Sequence, residues 1–151
     1  NLNVMELIDS GKPEIVVTLA NTRGDETPNG IMAAIRSLVD MEITVIALRD
    51  TPNMKIDVPT CLSQGILGNP DDCRVPRADV LDEQKYVATK KALPRDVITV
   101  NMNDELCPNH YCDVIRDNVI MWRDSHHLTA TYANMLSSSI WSQITHRMNP
   151  P

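Results

Sequence analysis

Two short apolar runs rich in β-branched residues, at 14–19 and 43–48, flank a helical pattern, and that order limits the fold more than any other feature. The first run holds Ile15, Val16, Val17 and Leu19. Such unbroken runs suit strands of a parallel sheet buried on both faces, because a half-solvated strand would alternate with polar residues. Between them Thr27-Pro28 is a good helix start: threonine can cap free amides and proline fits the first helical position. Ile31, Ala34, Ile35 and Leu38 then recur at the spacing of one helix face. Strand, helix and strand in this order make a βαβ unit with a right-handed crossover, which places the chain in the α/β class.

The remaining sequence extends this pattern. Residues 1–10 carry Val4, Met5, Leu7 and Ile8 in a helix-like fragment stopped by Gly11 and Pro13. Residues 20–26 form a loop at the first strand's carboxyl end. Residues 53–77, with several prolines, glycines and aspartates, read as a long excursion rather than core. A helix over 79–93 has Leu81, Tyr86, Val87 and Leu93 as its apolar side and ends at Pro94. A third strand follows at 97–100, an extended piece at 119–122, and a last helix over 130–144 with Ala133, Leu136, Ile140 and Ile144 inward. The expected architecture is one three-layer α/β domain over residues 1–151 with at least three parallel strands. Reactive groups of such sheets collect in loops at the strands' carboxyl ends, where Asn21 and the 124–127 segment are expected.

Charge and cysteine usage narrow the function classes. Acidic residues exceed basic ones, 20 to 14. There is no basic stripe, so nucleic acid is set aside as a partner. No apolar run approaches the roughly 20 residues of a membrane span, and the first residues lack the regions of a signal peptide. Cys61 with Cys73 and Cys107 with Cys112 form two short-range couples in polar, turn-rich segments. Local disulfides, and with them an oxidising compartment, are the preferred reading. The alternative is zinc on Cys107, His110 and Cys112, which would need a distant fourth ligand. No metal or cofactor is expected.

The most specific chemistry lies in Arg123-Asp124-Ser125-His126-His127-Leu128-Thr129. Asp124 and His127 are three apart, which lets one short turn hold a carboxylate against an imidazole. That pairing activates a serine nucleophile: the imidazole takes the hydroxyl proton, and the carboxylate fixes its tautomer and stabilises its charged form. The same residues also read as a helix start, with Asp124 or Ser125 as cap and His127 solvated. Only one of the two adjacent histidines can sit usefully against Asp124, and spacing favours His127. A zinc site using both histidines has no clear carboxylate or third histidine to complete it. A serine in a nucleophile setting is not found: Ile8-Asp9-Ser10-Gly11 has its glycine on the wrong side and no strand ahead of it.

Asp124 to Thr129 followed by a helix resembles the final block of SGNH hydrolases, in which Asp-x-x-His precedes the closing helix. More narrowly, the run Cys107-Pro108-Asn109-His110-Tyr111-Cys112 through Arg123-Asp124-Ser125-His126-His127-Leu128-Thr129-Ala130-Thr131-Tyr132 is similar to the extracytoplasmic SGNH domain of bacterial acyltransferase-3 membrane proteins, particularly the actinobacterial members. Arg49-Asp50-Thr51-Pro52 and the cysteine couple after it fit the same domain. The resemblance implies an SGNH-like, flavodoxin-like sheet that lacks its first strands in this chain. It implies His127 as general base, Asp124 as its acidic partner and Asn21 as candidate oxyanion donor, although the family's Gly-x-Asn-Asp is not preserved around Asn21. The serine would then lie outside the chain, in a missing N-terminal part of the domain. The implied activity is transfer of an acyl group, acetyl above all, to a hydroxyl of an envelope glycan or glycolipid. The domain would be tethered outside the cytoplasm by the membrane acyltransferase domain of the same protein. The alternative class is a non-catalytic extracellular module that binds glycan or protein and keeps the sheet without the chemistry.

Overall fold

The computed structural model describes residues 4–21, 25–64 and 69–148. Residues 1–3 of the first helical fragment, Thr22 with the next two loop residues, and residues 65–68 of the excursion lie outside them. The chain packs as two units, Asn1–Asp50 with Glu83–Val100 and Ile144–Pro151, and Thr51–Asp82 with Asn101–Gln143.

In the first unit, α1 (Val4–Gly11) leads to β1 (Ile15–Leu19), α2 (Asn29–Asp40) and β2 (Thr44–Leu48). β2 pairs in parallel with β1 on one side and with the strand Ile98–Val100 on the other. All three apolar runs are therefore strands of one parallel sheet, in an α/β arrangement. The register sets Val16 beside Val45 and Ala47 beside Thr99 on one face. Against that face α2 lays Ile35 and Leu38, and Met5 and Ile8 of α1 pack on the same cluster with Leu93 and Val97. Each fully buried aliphatic side chain contributes roughly 1.5–3 kcal/mol, so this face fixes the sheet's register.

Three local expectations change. Val45, Ile46 and Ala47 at the centre of β2 are buried on both faces, but β1 is an edge strand among the described residues. Its Ile15, Val17 and Leu19 point to the face away from α2 and are 44%, 59% and 42% exposed. Thr27 does not cap α2: Pro28 takes the cap position, and the Thr27 hydroxyl donates to the Ala20 carbonyl. The helix expected over 79–93 divides into Arg77–Val80 and Glu83–Ala92. It buries Tyr86 and Thr89 while Val87 faces solvent, because Tyr86 and Thr89 turn toward polar partners described below.

In the second unit the excursion is core rather than appendage. It forms the helix Val58–Gln64 and a 3-10 turn Pro70–Cys73, and Met54 and Val58 are fully buried. Disulfides join Cys61 to Cys73 and Cys107 to Cys112, and these are all four cysteines. The zinc alternative thereby loses its thiolates. Val75–Pro76 pairs antiparallel with Tyr111–Cys112, so each half of this short ladder ends at a disulfide cysteine or its neighbour turn. Replacing Cys61 and Cys73 together by serine is expected to lower the unfolding free energy by about 2–3 kcal/mol, since the bond closes a 12-residue separation in the unfolded chain. Urea unfolding of the oxidised protein and the double variant measures it.

Candidate active site

The segment 122–128 is a tight loop built on a buried base. Ile115–Arg116 and Val119–Ile120 pair antiparallel, and the Met121 amide continues the contact by donating to the Val114 carbonyl. Trp122 is fully buried, and its indole Nε1 donates to the Asp113 carbonyl at 2.8 Å. Trp122 and Leu128 form an antiparallel bridge, the Arg123 amide donates to the His127 carbonyl at 2.8 Å, and the Thr129 amide donates to the Met121 carbonyl at 2.8 Å. These bonds close the loop and leave residues 124–127 at its tip. From the segment that follows β2, the Thr51 hydroxyl donates to the His126 carbonyl at 2.7 Å and the Met54 amide to the Ser125 carbonyl at 2.7 Å. The tip is thus braced from outside its own hairpin, and this brace explains part of the Arg-Asp-Thr-Pro run.

At the tip, Asp124 organises both histidines. Its Oδ1 accepts the backbone N–H groups of His126 and His127, each at 2.8 Å. Its Oδ2 lies 2.7 Å from His127 Nδ1. The His126 amide first, then the His127 amide and ring, hold the Asp124 carboxyl well below the usual carboxylate range. An ionised carboxylate only accepts, so Nδ1 of His127 carries the hydrogen and the neutral ring presents the Nε2 lone pair away from Asp124. His127 is 52% exposed on its side chain and Asp124 33%, so the pair is open to a reactant. Between the two histidines the geometry distinguishes clearly. His126 Nδ1 is 3.5 Å from Asp124 Oδ1 and 3.1 Å from the Ser125 hydroxyl.

The loop is separate from the helix that follows it. Thr129, in extended conformation, is the N-cap of Ala130–Met135: its hydroxyl oxygen accepts from the Tyr132 amide at 3.2 Å and donates to the Ile120 carbonyl at 2.7 Å. Asp124 and Ser125 therefore do not cap it. The helix expected over 130–144 breaks at Leu136 and resumes as Ser137–Met148. Tyr132 is buried in place of Ala133, which faces solvent. Thr129→Ala is expected to cost about 1 kcal/mol from loss of the cap, measured as a shift in the urea midpoint with unchanged slope.

Asn21, the oxyanion candidate, belongs to the first unit and stands two residues after the end of β1. It is 1% exposed. Its Nδ2 donates to Asp25 Oδ1 at 3.1 Å and its Oδ1 accepts the Asp50 amide at 3.1 Å, so the carboxamide ties the turn after β1 to the turn after β2. Sequence reasoning missed the group it serves. Arg49 forms a two-pronged bond to Asp25, 2.8 Å from Nε to Oδ1 and 2.8 Å from Nη2 to Oδ2, and reaches Glu83 Oε2 at 2.9 Å with Nη1. The guanidinium also lies 4.0 Å over the Tyr86 ring. Burial works against its charge, but the bonds to Asp25 and Glu83 outweigh that and raise its pKa.

Among the described residues no serine bonds to His127, and Ser10 donates its hydroxyl to the Leu7 carbonyl inside α1. No helix of the described residues is long and apolar enough to cross a membrane. A family model described as the SGNH domain fused to AT3 domains matches residues 5–141. No match is found among curated proteins or solved structures.

Proposed function

We propose that this chain, which belongs to the family of SGNH domains fused to AT3 domains, supplies the base and the orienting carboxylate of a Ser-His-Asp acyl-transfer site. Its partner is a membrane acyltransferase domain, as the family's fusion implies. The observation that carries the reading is the 2.7 Å contact between Asp124 Oδ2 and His127 Nδ1, with Nε2 left open.

The chemistry follows from that geometry. A serine hydroxyl attacks the acyl carbonyl while His127 Nε2 takes its proton, and the Asp124 carboxylate stabilises the imidazolium. The proton then passes to the leaving group as the acyl-serine forms. In the second half an acceptor hydroxyl gives its proton to Nε2 and attacks the acyl-serine, whose oxygen recovers that proton as the ester of the acceptor departs. The acyl group is acetyl and the acceptor a hydroxyl of an envelope glycan or glycolipid. The two disulfides support a site outside the cytoplasm, where such bonds persist. Among the described residues no serine bonds to His127, and none of them is assigned as the nucleophile in this reading. The oxyanion role of Asn21 rests on the family resemblance alone.

The test is acyl transfer itself. The intact protein, given a chromogenic acetyl ester with and without a glycan acceptor, is expected to cleave the ester and to acetylate the acceptor. Glycan binding with neither reaction would instead establish a non-catalytic module.

A further inference from the structure

His126 has no part in the acyl-transfer chemistry, yet Asp124 holds its backbone amide at the same 2.8 Å as that of His127. The two rings stand 3.9 Å apart between centroids, tilted by 41°. Asp124 faces both, at 2.7 Å from His127 Nδ1 and 3.5 Å from His126 Nδ1. One ligand atom from each of Asp124, His126 and His127 lies within 4.8 Å of the others. Ligands about 2.0–2.2 Å from a tetrahedral zinc ion stand roughly 3.3–3.6 Å from each other, so closing this set requires side-chain shifts on the order of an ångström. The three side chains are between 29% and 52% exposed, so the adjustment takes place at the surface. Two imidazoles and one carboxylate suit zinc and its transition-metal neighbours better than magnesium or calcium, which favour oxygen. The third ligand that seemed lacking in the sequence is Asp124 itself, turned back under both histidines.

We propose that Asp124, His126 and His127 bind a divalent transition ion of the zinc class, and that the ion reversibly switches off the base. The switch rests on the acyl-transfer reading; the ion site does not. In the metal-free loop Nδ1 of His127 carries the hydrogen and Nε2 the lone pair. An ion at Nδ1 needs the lone pair there, so the hydrogen moves to Nε2 with no net gain or loss of a proton. The ring is then protonated at the atom that must accept the serine proton. Water completes the coordination, as in open three-ligand sites.

The experiment is a titration of the intact protein with zinc chloride, followed by calorimetry and by the ¹⁵N resonances of the histidine rings. The expected result is one ion per domain, released by EDTA, with His127 changing tautomer on binding. His126→Gln should weaken binding by at least about tenfold, and zinc should lower acetyl-ester turnover of the wild type by about tenfold or more, reversed by EDTA. No saturable binding, or binding that His126→Gln leaves unchanged, overturns the site; binding at undiminished turnover overturns the switch. Zinc binding with turnover indifferent to His127→Ala would sink the catalytic reading and leave the ion site standing. Turnover lost in His127→Ala without zinc uptake by the wild type would sink the ion site alone.

Discussion

Replacing His127 by alanine is expected to lower acyl transfer by at least about a thousandfold while moving the unfolding free energy by no more than about 0.5 kcal/mol. The two halves of that expectation come from different observations. Half of the His127 side chain is in solvent, and its partners are the Asp124 carboxylate and the His126 ring, so little packing is lost. The chemistry loses its proton acceptor outright. Asp124→Asn should be nearly as inactive for another reason. An asparagine oxygen can still accept one amide bond within the loop, but it no longer provides the charge that stabilises imidazolium. Turnover of one acetyl ester by wild type and both variants, with urea midpoints alongside, measures both halves. A fall of less than about tenfold in His127→Ala would remove it from the role of base, since water cannot replace a general base and nucleophile activator so cheaply.

How much of this was legible in the sequence depends on the distance over which each feature is encoded. The Asp124–His127 contact is local, three residues within one turn, and could be read as a pair before the fold was known. The Thr51 and Met54 braces were not, because they join positions more than 70 residues apart through a backbone carbonyl that any residue would offer. The strand runs were visible because β-branched apolar residues have few other uses. Which face of β1 is covered was not, because Ile-Val-Val-Thr-Leu is apolar on both sides and burial is set by what packs there. The two Thr residues at helix starts make the same point. Thr129 caps its helix, while Thr27 gives its hydroxyl to Ala20 and leaves Pro28 at the cap position. Asp25 and Arg49 stand 24 apart in the sequence with nothing local to link them, and only the turns after β1 and β2 make them a buried pair.

That pair carries the other large expectation: Arg49→Met should lower the unfolding free energy by about 3–5 kcal/mol. The Arg49 side chain is 0% exposed and the Asp25 side chain 5%, whereas Glu83 is 49% exposed. Removing the guanidinium therefore strands the Asp25 carboxylate in a nearly dry site, but leaves Glu83 to water. Asp25 is also a poor candidate for relaxing outward. Its backbone has φ 60°, its carbonyl accepts the Thr89 hydroxyl at 2.9 Å, and its Oδ1 holds Asn21. Methionine keeps an aliphatic stem in the buried position of Arg49 and gives up the guanidinium together with its 4.0 Å contact over the Tyr86 ring. Asp25→Asn should cost less, because Arg49 keeps Glu83 and the Tyr86 ring, and asparagine can still bond to its neighbours. The combination Arg49→Met with Asp25→Leu should recover much of the loss, since a buried ion pair exchanged for apolar groups of similar size is often near neutral. Urea midpoints of the three variants decide the matter. If Arg49→Met costs less than about 1 kcal/mol, or if the double variant is no more stable than the single one, the stranded-charge account is wrong and the network contributes through geometry alone.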